Sequence, residues 1–458
     1  MVLVKVQTLQ RSVINLSNYR PWLFRKQNLP PTLSRINHLP RKKSFARDGS
    51  SARISLGHSY CFHSSLTANV HCACATIRTM FLRSTEVNQF RNLAGEITWG
   101  DRLNILYGDN GQGKTNWLEA IQILIHAKSF RTHHLHETVA FGQRAALVRG
   151  TAHRGDAIDR ELQVSIHQNT RQTFINGKRE PVSRYLAQLH AVWFTADELE
   201  VVRGGPEARR NFLDRGVTSL HPPYTQTIST YNKVIKQKKR LLEQALDGQI
   251  RLTELREQVA PWNSQIISLG TQIHRARTRY VTLLCEALEQ NLFGDDLMIR
   301  YVSSLESKGD LANYDQLIAD RLDLRLEAEM YAGACLIGPH RDDFEIRFRH
   351  RNLRSFGSSG QQRSALITLD LAAISVYYSK HQEYPVFLID DVDAELDGSR
   401  IERLLEYLDG RTQTFVTTSK RNYFERFNRK ANFYEVREGQ AIPQTAFSRQ
   451  LMRAGNVS

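Results

Sequence analysis

The stretch Gly108-Asp109-Asn110-Gly111-Gln112-Gly113-Lys114-Thr115 sets glycines, a lysine and a hydroxyl residue at the spacing G-x-x-x-x-G-K-[ST]. Those residue types at that spacing hold polyphosphates. Glycines let the backbone curl until successive N–H groups point at phosphate oxygens, and a helix N-terminus behind them adds a favourable dipole. Lys114 is expected to reach the β and γ phosphates of a nucleoside triphosphate, and the Thr115 hydroxyl to take a Mg2+ position. The flanking elements fit. LNILY (103–107) reads as an apolar strand, and 114–127 carry Trp117, Leu118, Ile121 and Leu124 at helical spacing. A plain Gly-rich turn would need neither neighbour.

A triphosphate site that hydrolyses needs acids opposite the loop. VFLID (386–390) reads as a buried strand ending in Asp390 and Asp391, the Walker B pattern. Asp390 is expected to hold Mg2+ through water, and Asp391 to orient the attacking water as a base. Between the two motifs, Ser358, Gly360 and Gln361 stand just before an apolar helix starting near Ser364, which makes a second anion-binding helix end. Alone this is a helix cap. Between a P-loop and a Walker B strand it resembles the signature of ABC-type ATPases, which covers the γ-phosphate held by the other subunit. AELD (394–397) then stands in the place of a D-loop, and TFVTTS (414–419) ends in Thr417 and Thr418 where many ABC proteins carry a histidine. Phosphate sensing would rest on hydroxyls.

These motifs must be positioned by a chain of 458 residues, 41% hydrophobic and 24% charged, which is ample for two or three domains. No apolar run approaches the roughly 18 residues of a spanning helix, so no membrane role is expected. Five cysteines cannot staple so long a chain, which points to a reducing compartment. The formal charge of +15 is uneven: residues 1–79 hold 12 Lys and Arg against one acid, Asp48. This Ser- and Arg-rich extension is expected to be disordered. Its Cys61, Cys72, Cys74, His63 and His71 lack a regular metal-ligand spacing. The extension resembles a transit peptide in composition, and Met80, directly before the strand FLRSTEV (81–87), is the expected functional start. A basic tail touching DNA is the alternative. Trp99, Gly100 and Asp101 are read as a polar turn between that strand and LNILY.

The long span from Thr115 to Ser358 is largely helical. Segments 224–246 and 265–292 carry apolar residues at three and four spacing, with a short helix near 251–259 set off by Pro261. The expected organisation is therefore an α/β, ABC-type P-loop NTPase head with a mixed sheet and flanking helices, split by a compact helical lobe: 80–205 and 331–458 form the head, 206–330 the lobe. Arg209, Arg210, Lys233, Lys236, Lys238, Lys239, Arg240, Arg275, Arg277 and Arg279 could neutralise DNA phosphates, or could be a solvated helix face. No base-reading module is evident.

The motifs together resemble the RecF family, bacterial recombination mediators related to SMC and Rad50 heads. The matching segments are FRN (90–92), GDNGQGKTNWLEAI (108–121), FINGK (174–178), GGPEARRNFLD (204–214), GPHRDD (338–343), FGSSGQQR (356–363) and LIDDVDAELD (388–397). The resemblance implies a bacterial cytoplasmic, weakly active, DNA-stimulated ATPase that dimerises on ATP and clamps duplex DNA. It would act at gaps and single-strand/double-strand junctions, with RecO and RecR promoting RecA loading in repair, replication restart and the SOS response. Carried over by position, Gly108, Asp109, Asn110, Gly111, Gln112, Gly113, Lys114 and Thr115 bind ATP, Thr115 and Asp390 bind Mg2+, and Lys114 and Asp391 serve hydrolysis. Ser358, Gly360 and Gln361 engage the partner copy's nucleotide, and Arg91 stands near the nucleotide. GPHRDD is expected to be a turn into the strand DFEIRFRHR. The extension has no family counterpart, and Asp393 stands where a small residue is usual. An SMC- or Rad50-type tether would need a long arm or a Cys-x-x-Cys hook, and an ABC transporter subunit a switch histidine; none is present.

Overall fold

Strands whose two faces are both covered read as unbroken apolar runs, and the runs noted above join one six-stranded sheet. Its order is Ala191–Phe194, Val386–Ile389, Thr414–Thr418, Leu103–Tyr107, Ala431–Arg437, Gln440–Pro443, parallel except for the last pair. The computed structural model describes residues 78–155, 158–168, 170–288, 296–422, 424 and 431–444. The basic extension, with its cysteines and histidines, lies outside the described residues except for Arg78 and Thr79, which pair with Glu383 and Tyr384.

Alternation of side chains along each strand divides the core in two. Ile105, Phe194, Phe387, Ile389 and Val416 face the cluster built by helix Ser359–His381 and the helical segments after it in space, including Leu366, Leu369 and Ile374. Leu106, Trp193, Val386, Leu388 and Phe415 face the opposite cluster, which contains Trp117, Leu118, Ile121 and Leu124 of helix Lys114–His126. That second face is closed by an antiparallel sheet in the order Leu93–Thr98, Ser84–Phe90, Ala145–Arg154, Ile158–His167, Thr170–Ile175, Lys178–Glu180, with Phe81–Leu82 pairing on Ala145–Arg154. Helices Lys114–His126 and Ser359–His381 thus lie on opposite faces of the six-stranded sheet.

Three readings of the sequence change. Trp99 is not in a polar turn. It is buried, donates its indole N–H to Thr85 Oγ1 at 2.9 Å, and meets Trp117, Phe415 and Tyr434 edge to face. The strand Leu93–Thr98 before it was hidden because only Leu93 and Ile97 are buried along it. Pro261 does not separate two helices: Leu252–Leu288 is continuous through it. The proline sits on the exposed side, where a freed carbonyl can meet water, while Leu255, Val259 and Ile266 keep one face packed. Residues 289–292 of the expected helix lie outside the described residues.

The inserted segment also contains helices Pro206–Leu220, Tyr224–Leu246, Tyr314–Leu324 and Leu326–Ala332. It is not all helix, since Leu297–Val302 pairs antiparallel with Asp343–Phe348. Of the ten cations considered for DNA contact, three belong to the core. Arg209 holds both oxygens of Asp343 at 2.7 and 3.0 Å, Arg277 holds both of Asp214 at 2.8 Å, and fully buried Lys238 pairs with Glu329 at 2.6 Å. Desolvated charges must be paired; two of these pairs tie helix to helix, and Arg209 ties its helix to the strand Asp343–Phe348. Arg210 donates to the Asp342 carbonyl, Lys233, Lys236, Lys239, Arg240 and Arg279 are exposed, and exposed Arg275 lies 3.9 Å from Asp315.

Candidate nucleotide site

The glycine loop leaves strand Leu103–Tyr107 and enters helix Lys114–His126 with Gly108, Gly111 and Gly113 at φ of 149, 83 and 109°. A Cβ on Gly108 would stand 2.5 Å from the Val436 carbonyl oxygen, so two constraints, left-handed backbone and close approach, both demand glycine there. Gly113 offers no side-chain cap, which leaves the first amides of the helix directed along the loop. Asp109 and Asn110 are exposed at its crest. Gln112 takes a structural part: its Oε1 accepts the Glu438 N–H at 2.7 Å, and its carbonyl accepts that of Gly439 at 2.9 Å. Trp117 donates to the Gly439 carbonyl at 3.0 Å. The turn Glu438–Gly439 therefore clamps the loop from the last hairpin, a role that nothing but the Glu-Gly dipeptide hinted at in the sequence.

Lys114 arches back, its Nζ donating to the carbonyls of Gly108 at 2.7 Å and Asp109 at 2.9 Å. Burial lowers its pKa, and Asp391, Asp393, Asp390 and Asp109 act in the opposite sense by favouring the cation. Thr115 Oγ1 donates to Asp390 Oδ1 at 2.9 Å, and Thr417 Oγ1 donates to the same oxygen at 2.7 Å. Loop and Walker B strand, 275 positions apart in the chain, thus meet at one carboxylate. A hydroxyl and a carboxylate side by side form a hard oxygen donor set that suits Mg2+. Burial raises the Asp390 carboxyl above its ordinary value, against the two hydroxyl hydrogen bonds and with the help of Asp391.

Asp391 occupies the left-handed region at φ 47°, rare for a residue with a side chain, and its N–H donates to Thr417 Oγ1 at 2.7 Å. Thr417 therefore fixes both acids. The Asp391 carboxyl is pushed up by desolvation and by neighbouring Asp393, while Lys114 opposes. Asp393, the departure from the family pattern, is anchored by Thr418 Oγ1 at 2.6 Å and Ser419 Oγ at 2.8 Å. Burial raises its pKa, but these hydrogen bonds outweigh that and hold it below the ordinary value.

Arg91 is committed to buried Glu119 on the P-loop helix through two bonds of 2.9 Å, with φ 51° at its own backbone. Ser129 Oγ donates to the same carboxylate at 2.6 Å. Ser358 caps helix Ser359–His381 in a reciprocal box with Gln361, its Oγ accepting at 3.3 Å and Gln361 Oε1 accepting from the Ser358 N–H at 2.9 Å. Gly360 is half-buried, and Ser358 and Gln361 are exposed. Among the described residues no hydrogen bond joins these three to the glycine loop. Arg363 of the same helix donates to Glu395 Oε2 at 2.6 Å.

A family profile described as the RecF/RecN/SMC N terminal domain matches residues 81–441. The chain is 32% identical to the DNA replication and repair protein RecF of Bacillus cereus (strain AH820) over 351 residues, covering 74% of this chain and 92% of that one. The chain belongs to the RecF family. The RecF of Ligilactobacillus salivarius (strain UCC118) is 31% identical over 378 residues, covering 81% and 99%. Two solved structures of the recombination mediator protein RecF in the RecFOR pathway superpose on it. The one described as RecF-ATPrS has a TM-score of 0.73 and the one described as RecF-ATP 0.71, each at 25% identity over 80% of this chain. The fold is therefore the ABC-type ATPase head of RecF, and no helix among the described residues is long and apolar enough to cross a membrane.

Proposed function

We propose that this RecF-family chain is an ATP-driven DNA clamp that mediates recombination. The observation that carries the reading is the Thr115–Asp390–Thr417 cluster beside Asp391, because it brings the hydroxyl of the phosphate loop and the Walker B acids to one point. Lys114 neutralises polyphosphate charge, and the loop amides of Gly108 to Gly113 hold its oxygens. Thr115 and Asp390 would hold Mg2+, which supplies charge stabilisation when bound. Asp391 orients water and receives its proton; its raised pKa makes it the more effective base. An aspartate reaches less far than a glutamate, which suits slow, DNA-stimulated hydrolysis that serves as a timer.

Ser358, Gly360 and Gln361 lead a helix packed on the other face of the sheet from the P-loop helix, which supports a site completed by a second copy. ATP bound between copies then holds a homodimer around duplex DNA, and hydrolysis releases it. Arg91, held by Glu119, would stand at the edge of the nucleotide. The names of the RecF relatives, a DNA replication and repair protein and a recombination mediator in the RecFOR pathway, support a place in that pathway. Within it we propose binding at single-strand/double-strand junctions and RecA loading with RecO and RecR in the bacterial cytoplasm. The head halves 80–205 and 331–458 and the lobe 206–330 are proposed as its working parts.

Light scattering on the wild type and Lys114→Met, with and without ATP, Mg2+ and duplex DNA, tests this. The wild type should double in mass with ATP and retain DNA, and the variant should do neither. A wild type that binds ATP yet stays monomeric with DNA present would defeat the clamp.

A further inference from the structure

The signature helix carries an acid that the nucleotide site does not use. Asp370 is 1% exposed, and its Oδ2 has no hydrogen-bond partner among the described residues. It lines a cavity of about 30 Å³, room for about one water, shared with Arg215 of helix Pro206–Leu220, His190 and Trp193 at the strand Ala191–Phe194, and Tyr280 of helix Leu252–Leu288. A buried orphan acid is costly and calls for a cause.

Arg215 supplies one. Its Nη1 and Nη2 donate to the two oxygens of Glu198 at 2.6 and 2.7 Å, and its guanidinium lies 4.2 Å over the Trp193 ring. Trp193 Nε1 also donates to Glu198 at 2.9 Å. A guanidinium has five N–H donors in a fork, so donors remain for a second carboxylate. Arg215 is paired with Glu198, and Asp370 lines the same cavity from the helix that carries Ser358, Gly360 and Gln361 at its start.

We propose that Arg215 is a two-position tie, paired with Glu198 in the arrangement described here and turning across the cavity to Asp370 when the signature helix shifts, which makes Arg215 and Asp370 positioning residues for the ATP-driven step. This rests on the ATP-switch reading above. In the present arrangement, burial and the Glu198 carboxylate push the Asp370 carboxyl well above its ordinary value, against Arg215, which favours its neutral form. The other groups facing the cluster add no competing anion. His190 and His126 are kept neutral by burial, Tyr280 is raised by burial, and Lys128, lowered by burial and by Arg215, brings no negative charge. On reaching Arg215, Asp370 ionises and releases one proton. The shifted arrangement is therefore favoured as pH rises, by up to about tenfold per pH unit while the starting state stays protonated.

Infrared difference spectroscopy on the full chain at neutral pH reads this directly. Wild type minus Asp370→Asn should show the C=O stretch of a protonated carboxyl, and that band should vanish when a non-hydrolysable ATP analogue and Mg2+ bind. Glu198→Gln frees Arg215 and should lose the band without any nucleotide. Asp370→Asn should bind the analogue as the wild type does, while its ATP-driven dimerisation loses the rise with pH. A purely structural aspartate would lower the melting temperature and leave the pH slope intact. Absence of the band in the wild type, or its persistence in Glu198→Gln, overturns the tie. If labelled ATP does not bind at all, the ATP-switch reading fails, and the nucleotide-free Glu198→Gln measurement still decides the tie.

Discussion

At the scale of residues, Thr417 does more than its position in a β-branched strand would suggest. Its single hydroxyl donates to Asp390 and accepts from the Asp391 amide, so a threonine performs the anchoring that the missing switch histidine would not have done. Asp391 itself combines left-handed backbone with a raised carboxyl pKa. A folded-state pKa above the unfolded one contributes stability below the unfolded value and loses it as pH rises through the folded value, so the ionised group is a net cost at pH 7. Asparagine tolerates left-handed backbone and removes the charge. Asp391→Asn should therefore melt above the wild type at pH 7, converge with it below about pH 4, and hydrolyse ATP far more slowly. Scanning calorimetry at both pH values checks it, and a variant that melts lower at pH 7 would refute the electrostatic account.

At the scale of elements, helix contacts were less legible than helix existence. Helix Tyr224–Leu246 follows directly from its periodicity, whereas the continuity of Leu252–Leu288 through Pro261 depends on packing that sequence pattern does not contain. Gly216 shows the same limit. In a helix interior, glycine to alanine ordinarily gains about 1 kcal/mol. Here the added Cβ would stand 2.0 to 2.2 Å from atoms of the Tyr280 ring, so the two helices can approach only at glycine. Gly216→Ala should be destabilised by about 1–3 kcal/mol, the cost of overpacking, read as a lower urea midpoint with unchanged slope. A neutral or stabilised variant would mean that the two helices can separate without cost.

At the scale of the whole molecule, the cations of the inserted segment divide into two sets that the sequence could not separate. Arg209 and Arg277 bind Asp343 and Asp214, and Arg277 also donates to the Pro339 carbonyl at 2.7 Å, so the GPHRDD turn is a junction of buried ion pairs. Asp342 completes it, accepting from Tyr301 at 2.6 Å and from the Ser304 amide at 2.7 Å, while His340 meets the Tyr231 hydroxyl at 2.8 Å. Breaking such a pair from one side costs about 3–5 kcal/mol. Arg277→Gln should unfold at correspondingly lower denaturant. Replacing exposed Lys233, Lys236, Lys239 and Arg240 together by glutamine should leave the melting temperature unchanged and reduce the salt dependence of DNA binding. The slope should fall by about 0.9 for each DNA phosphate that is no longer neutralised. An unchanged slope would place the DNA on another surface.

The sequence by itself determined the loop, the acids and the capped signature helix, because each is a local device: glycines at fixed offsets, carboxylates at a strand end, a serine before an apolar helix. Family membership was legible for the same reason, in short contiguous motifs. Only the tertiary structure decided which charges are solvated and which are buried in pairs, why Trp99 is core, and that Glu438 and Gly439 clamp the phosphate loop. It also decided that Asp370 faces Arg215 across a cavity. Those facts depend on contacts between residues tens to hundreds of positions apart, and a side chain's ionisation and burial are set by what lies against it in space, which no local pattern encodes.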